Sequence, residues 1–192
     1  MRSSAAAAIL AGLLSSPGAA QGNVVERILA VVDGRPLLLS EVRVLERLRG
    51  LDRKAAVDAL IDERLMFREA ARLPQAVVSA EEEERAYRDL AARVPTGAGP
   101  TEEDLRRLAR RQTAILKYID FRFRPQVRVE EAEVRAAYDQ EQAGRPDAPP
   151  FEAAAAGVRA RLEAAELDER IEEWVGELRA GAQIRYNDFP AS

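Results

Sequence analysis

Carboxylates carry the acid–base chemistry available to this sequence, because histidine and cysteine are both absent. Imidazole-dependent triads, the usual N/S zinc sites and disulfide frameworks are therefore excluded. The pairs Asp58/Asp62 and Glu172/Glu173 are the clearest acid–base candidates, but the pattern puts them on solvated helix faces. A catalytic carboxylate pair needs burial or a shared pocket that separates its two pKa values. We therefore expect no catalytic residue and no enzyme.

Motifs that hold cofactors or metals are missing as well. The sequence has no glycine-rich dinucleotide or phosphate loop and no Asp/Asn calcium loop. The acidic run Glu81 to Glu84 suits a helix N-terminus, where the macrodipole favours negative charge, better than a metal site. The formal net charge of −4 argues against attraction to nucleic-acid phosphates. We predict no cofactor, no metal and no nucleic-acid partner.

The first twenty residues have the pattern of a secretory signal peptide. Arg2 supplies a positive start, Ala5 to Leu14 is an apolar run, and Gly18 to Ala20 offers small residues for cleavage. The apolar run is about ten residues, whereas roughly 20 are needed to span a bilayer. We predict export by a signal peptide over residues 1–20, no stable membrane insertion after its cleavage, and one domain over 21–192. An uncleaved anchor is the alternative.

Strand signals lie at the two ends of the predicted domain. Val24 to Val32 is apolar and β-branched, and Asp33-Gly34 predicts a hairpin turn into the short return strand Pro36 to Leu39. Near the other end, Gln183 to Tyr186 alternates like an edge strand. We expect the two ends to pair in one small sheet, with Trp174 and Leu178 packed beneath it.

Helical signals fill the chain between these strands. Ser40 is predicted to cap the first helix, which Gly50 ends. Five more helices are predicted, beginning at Asp52, Ser79, Thr101, about Glu130 and Phe151. Pro and Gly mark a loop over 95–100 and a linker over 143–150, after which the last helix and strand (151–187) pack back on the N-terminal part. The fold class is therefore mainly α, with about six helices and a small sheet.

Two runs near the start resemble the N-terminal signature of SurA-type periplasmic chaperones. They are Val24 to Gly34 and Pro36 to Val42, which match an apolar strand, a tight turn and the start of a helix. Glu26 stands where that family often has aspartate. Ala56 to Met66 looks like the family's next helix, and Ile171 to Tyr186 resembles its terminal helix and strand. The resemblance covers nearly all of the predicted mature chain.

The resemblance implies an ATP-independent periplasmic chaperone that binds unfolded polypeptides, outer-membrane proteins among them. Family members carry parvulin-type prolyl isomerase domains, but the corresponding space here, about Arg128 to Pro150, is too short for one. Parvulin sites also commonly use histidines, which this chain lacks. We therefore expect chaperone activity without isomerase activity. A degenerate isomerase and a structural envelope-assembly subunit with one folded partner are the alternatives.

Large apolar and aromatic side chains are the candidates for contact with such polypeptides. Each of them has a competing interpretation as ordinary core. The six candidates are Met66, Phe67, Phe121, Phe123, Tyr138 and Trp174.

Overall fold

The structure is a computed structural model that describes residues 26–94, 100–143, 145 and 147–187. The predicted signal peptide, the first two residues of the predicted strand and residues 95–99 of the predicted loop lie outside the described residues. So do two positions of the predicted linker, 144 and 146.

A three-stranded antiparallel sheet joins the two ends of the described chain, as the sequence predicts. Its strands are β1 (Ile28–Val32), β2 (Arg35–Leu38) and β3 (Ile184–Tyr186), in the order β2-β1-β3. Asp33 and Gly34 both have positive φ, 48° and 78°, as the two central residues of a type I′ hairpin turn require. Val32 therefore pairs with Arg35 across a two-residue turn.

Six α-helices lie between β2 and β3 in the described residues, which confirms the mainly α class. They are α1 (Leu39–Arg49), α2 (Arg53–Ala70), α3 (Ala80–Ala91), α4 (Glu102–Arg122), α5 (Glu131–Gln142) and α6 (Phe151–Ala180). Short 3-10 turns, Pro74–Ala76 and Arg124–Gln126, follow α2 and α4.

Three of the predicted helix caps are confirmed. The side chains of Asp52, Ser79 and Thr101 each accept a hydrogen bond from a backbone N–H three residues on, at 2.8, 3.2 and 3.1 Å. Such caps satisfy backbone N–H groups that have no partner within the helix. The starts of α2, α3 and α4 are therefore set by local sequence.

The predicted cap at Ser40 is wrong. Helix α1 begins one residue earlier, at Leu39, and Ser40 lies inside its first turn. The Glu41 carboxylate accepts the Leu38 N–H at 3.1 Å, and the Glu26 carboxylate accepts the Ser40 N–H at 3.1 Å. Two carboxylates thus take the place of the predicted hydroxyl cap.

The main core lies between the sheet, α1 and α2. It is aliphatic and almost fully buried, since its largest side chains are at most 1% exposed. Among them are Leu29, Leu37, Leu45, Leu60 and Leu65.

Trp174 does not lie beneath the sheet, contrary to the prediction. It packs with Ile115 and Ile119 of α4 in a second cluster, whereas Leu178 contacts both clusters. Trp174 and Leu178 are a turn apart on α6, but α6 passes from α4 to the sheet at this point. Only Leu178 therefore reaches the core under the sheet.

Candidate functional site

Four of the six predicted contact residues meet in one place. Met66 and Phe67 come from α2, Phe123 follows the end of α4, and Trp174 comes from α6. Tyr118 of α4 joins them. These five residues are called the aromatic cluster below.

Ring geometry ties the aromatic cluster together. Tyr118 stacks on Trp174 with ring centroids 4.9 Å apart and planes 13° apart. Phe123 lies 5.2 Å from Trp174 and meets the edge of Tyr118 at 6.1 Å. Such pairs contribute about 0.5–1.5 kcal/mol beyond the area they bury. Trp174 is only 8% exposed, so its role is to support Tyr118 and Phe123, which are both half-buried.

The sequence of α4 explains why the cluster forms there. Ile115, Ile119 and Tyr118 are three and four residues apart, which puts them on neighbouring parts of one helix face. The helix ends at Arg122 because Pro125 cannot continue it, and the 3-10 turn that follows starts from Phe123. The Phe123 N–H still donates to the Ile119 carbonyl at 2.9 Å. This last bond holds the ring of Phe123 close to the end of the helix.

Phe121 lies apart from the aromatic cluster and faces solvent, with 51% of its surface exposed. One turn earlier on α4, the Lys117 ammonium donates to the Val77 carbonyl at 2.6 Å. Val77 is 69% exposed. Lys117 thus joins Val77 to the part of α4 that carries Phe121, and these two exposed side chains are called the exposed patch below.

Packing of the aromatic cluster extends to the turn Pro74–Ala76, which Val77 directly follows. Phe67 and Tyr118 belong to the cluster, and both also pack against a small core of three alanines under the turn Pro74–Ala76. These alanines are Ala70, Ala76 and Ala114, from α2, the turn and α4. Small side chains let the two helices and the turn approach closely, so apolar side chains run without a break from α6 to the turn.

Tyr138 belongs to a different part of the molecule. It meets Phe151 edge to face at 5.3 Å, and its hydroxyl donates to the Pro149 carbonyl. The Arg135 guanidinium lies 3.7 Å from the centre of the Phe151 ring. Tyr138 therefore helps to hold α5 against the start of α6, and it belongs neither to the aromatic cluster nor to the exposed patch.

The Asp58/Asp62 pair is not simply solvated, which corrects the prediction. Both side chains are only 28% exposed, and both pair with Arg179 of α6. The Tyr186 hydroxyl donates to Asp58 at 2.7 Å. Partial burial raises the pKa of Asp58, but the hydrogen bonds from Tyr186 and Lys54 outweigh it and hold this pKa below its usual value. The carboxylates thus fasten α6 and β3 to α2.

Glu63 is a buried charge that the sequence analysis missed. Its side chain accepts from Arg111 at 2.7 Å and from Gln112 at 3.3 Å, and Arg49 lies 3.9 Å away. A signal was present, because Glu63 falls on the apolar stripe of α2, between Leu60 and Phe67. Removing one partner of a buried ion pair is costly, because the remaining charge is left buried without a partner. Glu63 therefore fixes how α2 meets α4.

The acidic run at the start of α3 serves its helix terminus, as predicted, and also docks α3 on α4. The Glu82 carboxylate accepts from the Ser79 N–H at 2.7 Å and from Lys117 at 2.9 Å. These bonds lower the pKa of Glu82 to about 2. Glu83 pairs with Arg110 and Glu84 with Arg106, each at 2.8 Å.

Neither a metal centre nor a membrane span is found in the part of the chain that the structure describes. Within those residues, no three Asp or Glu side chains come together closely enough to hold a metal ion. None of the described helices is both long and apolar enough to cross a membrane. What the described site offers is apolar and aromatic contact.

Comparison with known proteins adds no family assignment. No known protein family matches this chain, and no curated protein matches its sequence. The SurA-type resemblance therefore stays a prediction that rests on the motif residues given above.

Proposed function

We propose that this protein is an ATP-independent periplasmic chaperone that holds unfolded exported polypeptides, outer-membrane proteins among them, without prolyl isomerase activity. The observations that carry the proposal are the half-buried rings of the aromatic cluster and the exposed side chains of Val77 and Phe121. The signal-peptide pattern and the SurA-type motifs support export to the periplasm and the class of client.

Unfolded barrel proteins present alternating apolar and aromatic side chains before their strands close. Such segments pair edge to edge and aggregate unless another surface covers them. A helical wall of Phe, Tyr and Met can accept many such sequences, because methionine is flexible and aromatic faces need no exact partner. Weak contacts of this kind also allow release without nucleotide hydrolysis.

The side chains of the site have different roles, which follow from how exposed each one is. Val77 and Phe121 reach solvent and make the first contact, while half-buried Tyr118 and Phe123 extend the surface once a client lies along it. Trp174 is buried and fixes the two rings above it. A client segment thus meets a wall of stable shape at little cost in side-chain entropy.

The test is suppression of aggregation of an unfolded β-barrel protein by the purified full chain. Phe121→Gln removes an exposed aromatic and keeps a good helix former, and losing about 1 kcal/mol of contact weakens binding about fivefold. We therefore expect about five times more of the variant to be needed for equal suppression.

Leu116→Gln is the matched control. Leu116 is also on α4 and is 60% exposed, but five residues separate it from Phe121, so the two side chains point about 140° apart. We expect this variant to act like the wild-type chain. Equal loss in both variants, or no suppression by the wild-type chain, would contradict the proposal.

Two further measurements separate the alternatives. Clear catalysis in a proline-peptide isomerisation assay would favour a degenerate isomerase. Recovery of one folded partner in stoichiometric amount, in place of many unfolded clients, would favour a structural subunit.

A further inference from the structure

A cleft of about 170 Å³ lies between the β-hairpin and α2, and no member of the aromatic cluster lines it. Its apolar lining comes from Val32, Leu37 and Leu65, all of which belong to the buried core. A cavity of about 150 Å³ lined by aliphatic and aromatic side chains is large enough for benzene. The cleft therefore has room for one apolar group of about six carbon atoms.

Positive charge surrounds this apolar lining. Arg35, Arg64 and Arg68 all line the cleft, and Asp33 is the one acidic residue among them. Arg68 pairs with Asp33 and Glu69, and Arg64 pairs with Glu41. Arg35 is exposed and makes no ion pair within the described part of the chain. Arg35 is therefore the lining cation that is left to pair with a ligand carboxylate.

The Arg64 guanidinium also has an unused donor. Its Nε–H is buried and has no hydrogen-bond partner among the described residues. A buried donor without an acceptor costs free energy, and it costs more when the group is charged. A ligand oxygen that accepts a hydrogen bond from this guanidinium would remove that free-energy cost.

We propose that the cleft binds a compact monocarboxylate that carries one apolar group. The apolar group occupies the space over Val32, Leu37 and Leu65, and the carboxylate pairs with Arg35 and Arg64. The same chemistry is found in the C-terminal residue of a polypeptide that ends in an aliphatic side chain and in a free short-chain acid.

This site shares no residue with the aromatic cluster or the exposed patch. The cleft proposal is therefore independent of the chaperone proposal. Aggregation assays test the aromatic cluster and the exposed patch, whereas ligand titration tests the cleft.

The experiment is a titration of the ¹⁵N-labelled full chain, followed by the amide signals of the hairpin and by the arginine Nε–H signals. The probes are N-acetyl-leucine, its amide, and N-acetylglycine. We expect N-acetyl-leucine to bind at least about tenfold more tightly than either, because the amide lacks the charge and the glycine derivative lacks the apolar group. Equal binding of the three probes would overturn the proposal.

A titration with 4-methylpentanoate and with a tripeptide ending in leucine identifies the source. If the tripeptide binds more tightly than 4-methylpentanoate, the proposed site is supported and its ligand is a polypeptide C-terminus. If 4-methylpentanoate binds as tightly or more tightly, the proposed site is supported and its ligand is a free short-chain acid.

Arg35→Gln tests the assigned side chain. We expect it to weaken N-acetyl-leucine binding about tenfold while the melting temperature stays close to that of the wild-type chain, because Arg35 is exposed. Arg128→Gln is the matched control, since Arg128 is also exposed and does not line the cleft. The same loss in both variants, or none in Arg35→Gln, would refute the assignment.

Discussion

The sheet core and the α3–α4 pair are held together by different forces. In the sheet core, Leu29, Val42 and Leu60 are at most 1% exposed, so burial of aliphatic surface supplies the stabilisation. Helix α3, which the structure describes in full, has no buried residue. It meets α4 through ion pairs and through the Arg106 guanidinium, which lies 4.1 Å from the centre of the Tyr87 ring.

This difference shows how a small helical protein can combine a stable body with an open apolar surface. Leu90 is the α3 side chain that packs against the aliphatic core, where it is half-buried, and ion pairs with α4 orient the rest of the helix. Its ionic contacts lie along α4 next to the turn Pro74–Ala76, where Lys117 reaches both Glu82 and the Val77 carbonyl. The apolar side chains at this boundary therefore remain available for binding.

The largest effect is expected from a cavity in the sheet core. Leu60→Ala removes a fully buried side chain and should cost about 3 kcal/mol of unfolding free energy, because the surroundings relax only partly. Tyr87→Ala on α3 should cost less than about 1 kcal/mol, since it removes a half-buried ring and one cation–π contact. Urea unfolding of both variants measures the difference. Similar costs would mean that α3 belongs to the hydrophobic core.

A smaller effect is expected when β3 is removed. Ending the chain after Gly181 removes the pairing of β3 with β1, the bond from the Asn187 amide to the Ile28 carbonyl at 2.9 Å, and that from Tyr186 to Asp58. We expect a loss of about 2 kcal/mol and self-association through the exposed edge of β1. Denaturant unfolding and sedimentation velocity measure the two effects.

Ending the chain after Asn187 is the matched control, because it keeps β3 and all of these contacts. We expect it to stay monodisperse to the same extent as the full chain. If the shorter truncation unfolds at the same denaturant concentration and sediments unchanged, β3 does not stabilise the sheet core.

Local signals explain how much of the fold could be predicted. The Asp33-Gly34 turn, the caps at Asp52, Ser79 and Thr101, and the stop at Gly50 each depend on residues within a few positions of one another. The pairing of the two ends followed because strand signals occurred nowhere else. The Ser40 cap failed because α1 begins at Leu39, which puts Ser40 inside the helix, where the Glu26 carboxylate from before β1 accepts the Ser40 N–H.

Contacts between helices could not be predicted, because periodicity shows which face is apolar and not which helix covers it. The Arg179–Asp62 pair joins residues 117 positions apart, and the Arg111–Glu63 pair joins residues 48 positions apart. Trp174 was expected under the sheet for the same reason. For the candidate site, the sequence identified four members of the aromatic cluster and omitted Tyr118, whose position next to Trp174 depends on how α4 and α6 meet.

The smallest effect concerns the charges that orient α3. The pKa of Glu82 is about 2 in the folded chain because its carboxylate accepts from the Ser79 N–H and from Lys117, whereas the ordinary value is 4.5. A depressed carboxyl pKa stabilises the folded state fully above the unfolded value, and that contribution is lost as the pH falls towards the folded value. Glu82→Gln should therefore lower the melting temperature at pH 6 by about 2 °C or less, and the difference from the wild-type chain should vanish near pH 2.

Glutamine at this position can still accept from the Ser79 N–H, so the variant isolates the charge that meets Lys117. Glu81→Gln is the matched control, because Glu81 is exposed in the same turn of α3 and makes no ion pair among the described residues. Adding 1 M salt should reduce the Glu82→Gln effect at pH 6, since the Debye length then falls to about 3 Å, and should leave the cost of Leu60→Ala in place. A Glu82→Gln effect that persists unchanged at pH 2 or in high salt would show that α3 is held by packing, and the two regions would then not differ as described.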